Sequence, residues 1–271
     1  MVMEHTEYIK RIHEEILIVM DEVDRVCREH NLQYYLIGGT LLGAVRHEGF
    51  IPWDDDLDIA MPRGDYETFL SICPSVLPSH LKIATARYDA NYHRLFSKVY
   101  NVNTRFVEYV GEKETDMGIF VDIFPLDFSD GYSKSLERRK WFVKKCSVML
   151  SCKAYPGQLH GIKKLIVNSL SSKQILRMAE YAMQHPKSKG EEYTSNFTSH
   201  YDIKRQTMLS EYFGRGGEIG FNGRKYMVPL EYRAVLTSIF GKNYMQIPPK
   251  DKQITHHPSI VRFSDGTEAK F

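Results

Sequence analysis

At 271 residues, 42% hydrophobic and 26% charged, the chain has the composition of an ordinary globular protein, with room for one large domain or two small ones. No apolar run approaches the roughly 18 residues that span a bilayer, and the opening Met1-Val2-Met3-Glu4-His5 lacks the basic start and apolar core of a secretory signal, so a cytoplasmic setting is expected. The net charge of +2 hides an asymmetry: residues 133–190 carry 13 Lys/Arg against 2 Asp/Glu, a local +11, which leaves about −9 for the remainder.

Ile9, Ile12, Ile16, Met20, Val23 and Val26 recur at steps of three and four, which predicts an amphipathic helix over about 4–30. Residues 33–37 read as a buried strand entering Gly38-Gly39, 40–46 as a helix, and 56–61 as a strand stopped by Pro62. Residues 65–77 have helical spacing, with Pro74 near the end. Strands are expected over 81–87, 93–100, 104–109 and 118–126. The last puts Ile119, Val121 and Ile123 on one face and Phe120, Asp122 and Phe124 on the other. An acid among such neighbours needs a partner. Beyond Asp130 the pattern turns helical, over 133–154 and 159–184, split by Pro156-Gly157. Asn222-Gly223 predicts a hairpin between 218–221 and 224–228. Pro229 and Leu230 open a last helix that Gly241 closes, and a polar tail with His256-His257 follows Pro248-Pro249. The expected fold is α+β: a mixed sheet flanked by helices in a catalytic core over 1–130, and a mainly helical, basic region over 131–271 packed on it and completing the site. The four cysteines, Cys27, Cys73, Cys146 and Cys152, read as reduced thiols without zinc-ligand spacing.

The chemistry concentrates near the N-terminal strands. Asp54, Asp56 and Asp58 alternate, so on a strand they share a face. Like charges that close are unfavourable unless a cation holds them, and hard ions such as Mg²⁺ bind through one or two carboxylates plus substrate phosphates. Gly38-Gly39 lets backbone amides approach a phosphate, Thr40 adds a hydroxyl, and a helix starting there favours an anion. Asp122 supplies a third acid from another strand. Together these read as a metal-dependent phosphoryl-transfer site, although Asp54 and Asp55 also fit solvated turn residues.

The run Gly38-Gly39-Thr40-Leu41-Leu42-Gly43-Ala44-Val45-Arg46-His47-Glu48-Gly49-Phe50-Ile51-Pro52-Trp53-Asp54-Asp55-Asp56-Leu57-Asp58 closely resembles the signature of the LicD family, which includes the fukutin-related transferases. Val121-Asp122-Ile123-Phe124-Pro125-Leu126 looks like a second family block. Val228-Pro229, Phe240-Gly241, Tyr244-Met245, Pro248-Pro249 and His256-His257 look like a third. The resemblance implies a DNA polymerase beta-like nucleotidyltransferase fold, with an interval from Gly39 to Asp56 longer than in the generic superfamily. It implies transfer of phosphocholine from CDP-choline to a glycan hydroxyl with release of CMP; the fukutin branch moves ribitol phosphate from CDP-ribitol. In that reading Asp56, Asp58 and Asp122 are catalytic and hold Mg²⁺, or Mn²⁺ in its place, with Asp122 alternatively taking the acceptor proton. Asp54 orients the metal's water shell. Arg46, Arg94 and Lys98 hold phosphate oxygens, the latter two from one strand face. His47 stands beside them, with a hydrogen-bonded structural role as its competitor, and Trp53 is a candidate wall for a quaternary ammonium. A lipid-linked acceptor would give the basic 133–190 region a task, holding the enzyme to the anionic inner face of a membrane. The competing readings are NMP transfer from an NTP and a non-catalytic binder of CDP-activated metabolites. No nucleic-acid motif accompanies the basic region.

Overall fold

The computed structural model describes residues 5–110, 113–155, 167–185, 190–253 and 258–270. In chain order these form α1 (His5–Glu29), β1 (Tyr35–Leu36), α2 (Gly38–His47), β2 (Asp58–Pro62), α3 (Arg63–Val76), β3 (Leu81–Ala84), β4 (Ser97–Asn101), β5 (Arg105–Val110), β6 (Lys113–Met117), β7 (Phe120–Ser129) and α4 (Lys134–Ala154). Then come α5 (Ser172–Gln184), β8 (Tyr193–Ser195), β9 (Thr207–Leu209), β10 (Gly217–Phe221), β11 (Arg224–Val228), α6 (Tyr232–Phe240), β12 (Ile260–Arg262) and β13 (Glu268–Lys270).

The central sheet runs β1-β2-β7-β4-β3, and β8 and β9 extend it from the far half of β7. Only the β2–β7 pair is parallel. One face presents Ile59, Met61, Val99, Val121 and Ile123, all fully buried. Two helices cover it. From α3, Tyr66 shares a hydroxyl hydrogen bond with Ser97, and Arg63 forks onto Asp127 with two 2.7 Å bonds. From α1, the stripe Ile9, Ile12, Ile16, Met20, Val23 and Val26 is buried as its spacing predicts. The opposite face carries Asp58, Asp122 and Lys98. A second, separate core joins Leu136, Val143 and Leu150 of α4 to Ile175 and Met183 of α5, with Leu95 and Phe197.

Several expectations need correction. Of the three alternating acids, only Asp58 lies in a strand. Residues 54–57 lead into it irregularly from a turn at Pro52-Trp53, where the Asp54 amide bonds the Ile51 carbonyl, and the β1–β2 register begins only at Ile59. The alternation survives even so: Asp55 and Leu57 are buried while Asp54, Asp56 and Asp58 are half-buried. Arg94 precedes β4 rather than lying on it. Of the helix expected over 159–184, residues 167–169 are helical, residues 170–171 interrupt it, and α5 starts at Ser172 under a capping box between Ser171 and Gln174, while 159–166 lie outside the described residues. Pro156-Gly157 lies outside the described residues, as does His256-His257. The region after Asp130 carries strands beside its helices: β8 to β13 all belong to it, and β8 pairs directly with β7. The hairpin at Asn222-Gly223 forms where predicted, and α6 ends at Gly241.

Candidate active site

The site is assembled by strand register. Asp58 of β2 lies opposite Asp122 of β7, and Asp122 opposite Lys98 of β4. Neighbours in register point to the same side, so two carboxylates and one ammonium form a row across three strands.

The Gly-Gly turn closes on this row. Gly38 has φ +54°, a left-handed conformation that favours glycine, and starts α2 at once. A Cβ on Gly39 would stand 2.8 Å from Asp54 Oδ2, and one on Gly38 3.6 Å from Asp58 Oδ2. The N-terminus of α2 therefore meets two carboxylates at close range, where the helix dipole favours negative charge. Thr40 is buried, and its hydroxyl accepts the Asp58 amide at 2.8 Å. That bond fixes the start of β2 to the helix, a structural task beside the phosphate contact expected of it.

Charge crowding is strong at Asp58. Burial, then the neighbouring carboxylates of Asp56, Asp122 and Asp54, push its carboxyl well above the usual range, and Lys98 opposes them. Lys98 is itself 4% exposed, with its ammonium 2.8 Å from Asp122 Oδ1 and 3.1 Å from the centre of the Phe120 ring. Burial pulls the Lys98 ammonium down and Asp122 props it up. Among the described residues no three His, Cys, Asp or Glu side chains form a ready metal cage. The donor set instead fits a hard cation held by Asp56 and Asp58 and completed by phosphate oxygens. A carboxylate whose pKa is raised by neighbouring carboxylates is the setting a divalent ion relieves.

The other expected residues divide. Arg46 donates from Nε to His47 Nε2 at 2.9 Å and from Nη1 to the carbonyls of Tyr244 and Gln246 at 3.2 Å, so it ties α2 to the 244–246 segment. His47 in turn meets the Trp53 ring edge-on at 6.2 Å. Burial and the Arg46 charge lower the His47 pKa, which suits its role as acceptor. Trp53 is half-buried against the main core. Arg94 and Lys98 line one cavity together, although from a loop and a strand. Asp55 is no solvated turn residue: it is 2% exposed and its charge acts on Tyr8 and His13 of α1.

Three residues escaped the sequence reading. His13 donates from Nε2 to the Asp54 carbonyl at 2.7 Å and stacks on Phe50 at 3.9 Å. Phe50 is held by the Asn222 side chain at the hairpin tip, so a chain of contacts from β10–β11 steadies the acidic turn. A polar residue on the apolar stripe of α1 was the available signal. Tyr201 follows a turn organised by Asn196 Oδ1. Burial and the charges of Asp58, Asp54 and Asp56 raise its hydroxyl to about 12. Tyr92 is buried, and burial and Asp122 push its hydroxyl far up. Nothing local in the sequence marks either tyrosine.

The model of the LicD/FKTN/FKRP nucleotidyltransferase domain matches residues 31–161, the stretch that holds the Gly-Gly turn and all the acids of the row. A lipopolysaccharide cholinephosphotransferase, LicD of Haemophilus influenzae, is 30% identical over 250 residues, covering 89% of this chain and 92% of its own. Uncharacterised proteins of Rickettsia typhi and Rickettsia prowazekii are 32% and 33% identical over 41% and 40% of this chain, which is 33% and 38% of their lengths. The chain belongs to the LicD family of enzymes.

Proposed function

We propose that the protein is a metal-dependent transferase that moves phosphocholine from CDP-choline to a hydroxyl of a cell-surface glycan precursor, of the lipopolysaccharide or teichoic acid kind, and releases CMP. The observation that carries this reading is the Asp58–Asp122–Lys98 row beside the Gly-Gly turn. Its layout resembles that of a DNA polymerase beta-like nucleotidyltransferase: a glycine turn opening a helix, a pair of acids at a strand start, and a third acid on the adjoining strand. The named activity of the Haemophilus relative supports the choice of donor group.

Mg²⁺ bound by Asp56, Asp58 and the donor pyrophosphate would neutralise charge on the phosphorus oxygens and on departing CMP. The α2 N-terminus and the Gly38-Gly39 backbone orient that pyrophosphate. Lys98 holds Asp122 at Oδ1, leaving Oδ2 to take the proton of the attacking hydroxyl. The new bond joins the acceptor oxygen to the choline-bearing phosphorus, and the bond from that phosphorus to the CMP oxygen breaks. Mass analysis of the acceptor tests this. Gain of a phosphocholine with one CMP per transfer supports it. Gain of ribitol phosphate from CDP-ribitol alone changes the donor, and gain of a nucleoside monophosphate from an NTP replaces the reading.

The acceptor in this proposal is lipid-linked, and α4 offers a face for the membrane. Lys134, Arg138, Trp141, Lys145 and Val148 follow one another at steps of three and four and are all exposed, Trp141 at 61%. An exposed indole among cations suits an anionic interface. No helix among the described residues is long and apolar enough to cross a membrane. Co-sedimentation with anionic vesicles at low salt, weakened by Trp141→Ala and by high salt, is the expected result; no sedimentation of the wild type at low salt contradicts it.

A further inference from the structure

A cavity of about 430 Å³ opens between α4, the segment 93–96 that leads into β4, and the loop 197–200 that follows β8. Arg94, Lys140 and Lys144 line it, and no Asp or Glu does. Among the described residues none of the three cations forms an ion pair. The Arg94 guanidinium lies 5.6 Å from the Phe96 ring centre. Lys140 donates to the Phe197 carbonyl at 2.8 Å and to that of Ser199. An ammonium has three N–H donors, so one remains beyond those two bonds. Burial and the Lys144 ammonium pull the Lys140 pKa down to about 8, and Asp202, which is not in the lining, opposes them. His93 also lines the cavity; burial, Arg94 and Lys98 lower its pKa to about 4, so its ring is neutral at pH 7. Ser147 and Ser151 of α4 add hydroxyls. Cations crowded together without an acid are the setting an anion relieves.

The cavity borders the acid row without containing any of its acids. Arg94 lines it and also the smaller cavity that holds Lys98. His200 of its lining packs 4.0 Å from the ring of Tyr201, whose hydroxyl is raised by burial and then by Asp58, Asp54 and Asp56. It also borders the exposed face of α4: Lys140 precedes Trp141, Lys144 precedes Lys145, and Val148 belongs to both. The donor pyrophosphate has its place at the α2 N-terminus, so an anion here belongs to the other substrate. Three cations call for more than one negative charge, and the guanidinium fork matches phosphate oxygens. Resting on the function proposed above, we infer that this cavity binds a phosphate or pyrophosphate group of the acceptor, the group that joins its glycan to its lipid. Held there, between the membrane-facing side of α4 and the acid row, the group keeps the lipid outside and the glycan beside the reacting atoms.

Calorimetry on the full chain tests this with two probes: inorganic pyrophosphate, titrated in EDTA with CMP in excess, and CDP-choline, titrated in Mg²⁺. Lys144→Glu reverses one charge of the lining at an exposed position, and Lys225→Glu makes the same change on the β10–β11 hairpin. Thermal melting checks that both variants fold. Pyrophosphate is expected to bind the wild type and Lys225→Glu equally and Lys144→Glu about ten-fold more weakly. CDP-choline is expected to bind all three alike. Absence of pyrophosphate binding by the wild type, or equal strength in Lys144→Glu, overturns the subsite and leaves the proposed function standing. Equal weakening of CDP-choline by Lys144→Glu also overturns it, since the cavity would then hold the donor. Phosphatidylglycerol vesicles that displace pyrophosphate would assign the cavity to bilayer headgroups and overturn its role for the acceptor. A wild type that binds pyrophosphate but no CDP-choline overturns the proposed function and, with it, the acceptor role.

Discussion

Along β2, β7 and β4, residues 59, 121, 123 and 99 point to one side of the sheet and residues 58, 122 and 98 to the other. The first side is apolar and sealed by α1 and α3; the second holds two carboxylates and a buried ammonium in a row. The same backbone hydrogen bonds support both. Stability is therefore concentrated on one face, and the other tolerates an electrostatic arrangement that no packing argument would select. Asp58 shows the contrast most clearly: its neighbours raise its pKa, a cost carried by the well-packed residues one position away.

Substitutions on the two faces should separate activity from stability. Asp58→Asn is expected to lower transfer by about 10³-fold, about 4 kcal/mol of transition-state stabilisation. Its melting temperature should hold or rise, because like-charge crowding is relieved; a large fall would show that Asp58 contributes to stability as the apolar face does. Lys98→Met leaves the Asp122 carboxylate buried without its partner, which costs about 3–5 kcal/mol in urea unfolding. Adding Asp122→Asn should restore most of that stability but no activity. On the other face Ile123→Ala, at a fully buried position, is expected to cost about 2–4 kcal/mol of stability while the turnover of the folded fraction changes less than three-fold.

The smallest effect is a pH dependence at His13. Burial lowers its pKa in the folded chain, against the pull of the Asp54 carbonyl and the Asp55 charge. The unfolded chain then takes up the proton first as pH falls, so the stability His13 contributes is fully present above its unfolded pKa of about 6.5 and declines below it. Comparing urea unfolding at pH 7.5 and 5.5, the wild type should lose more stability than His13→Gln; an equal loss would show that His13 is not held neutral.

The elements written in strong local patterns were legible in the sequence. The stripe of α1, the Asn222-Gly223 turn and the two-faced pattern of β7 each carry their signal within a few residues. The three-residue strands β8, β9, β12 and β13 do not, because their formation depends on partners such as β7 and β5 far along the chain. The candidate site divides the same way. Asp56, Asp58, Asp122 and the glycine turn announced themselves through spacing. The pairing of Lys98 with Asp122 followed only from register, and His13, Tyr92 and Tyr201 reach the site through tertiary contacts alone. Arg46 was legible as important but not for its observed hydrogen bonds, since its partners are backbone carbonyls about two hundred residues away.

The most direct measurement is CMP formation from CDP-choline by the purified protein with a glycan acceptor, with Mg²⁺ titrated in and then chelated, for the wild type and Asp58→Asn. CMP is expected to rise with Mg²⁺, to stop on chelation and to be lost in Asp58→Asn. CMP formation that survives both chelation and Asp58→Asn would contradict the assignment of the chemistry to the charged face of the sheet.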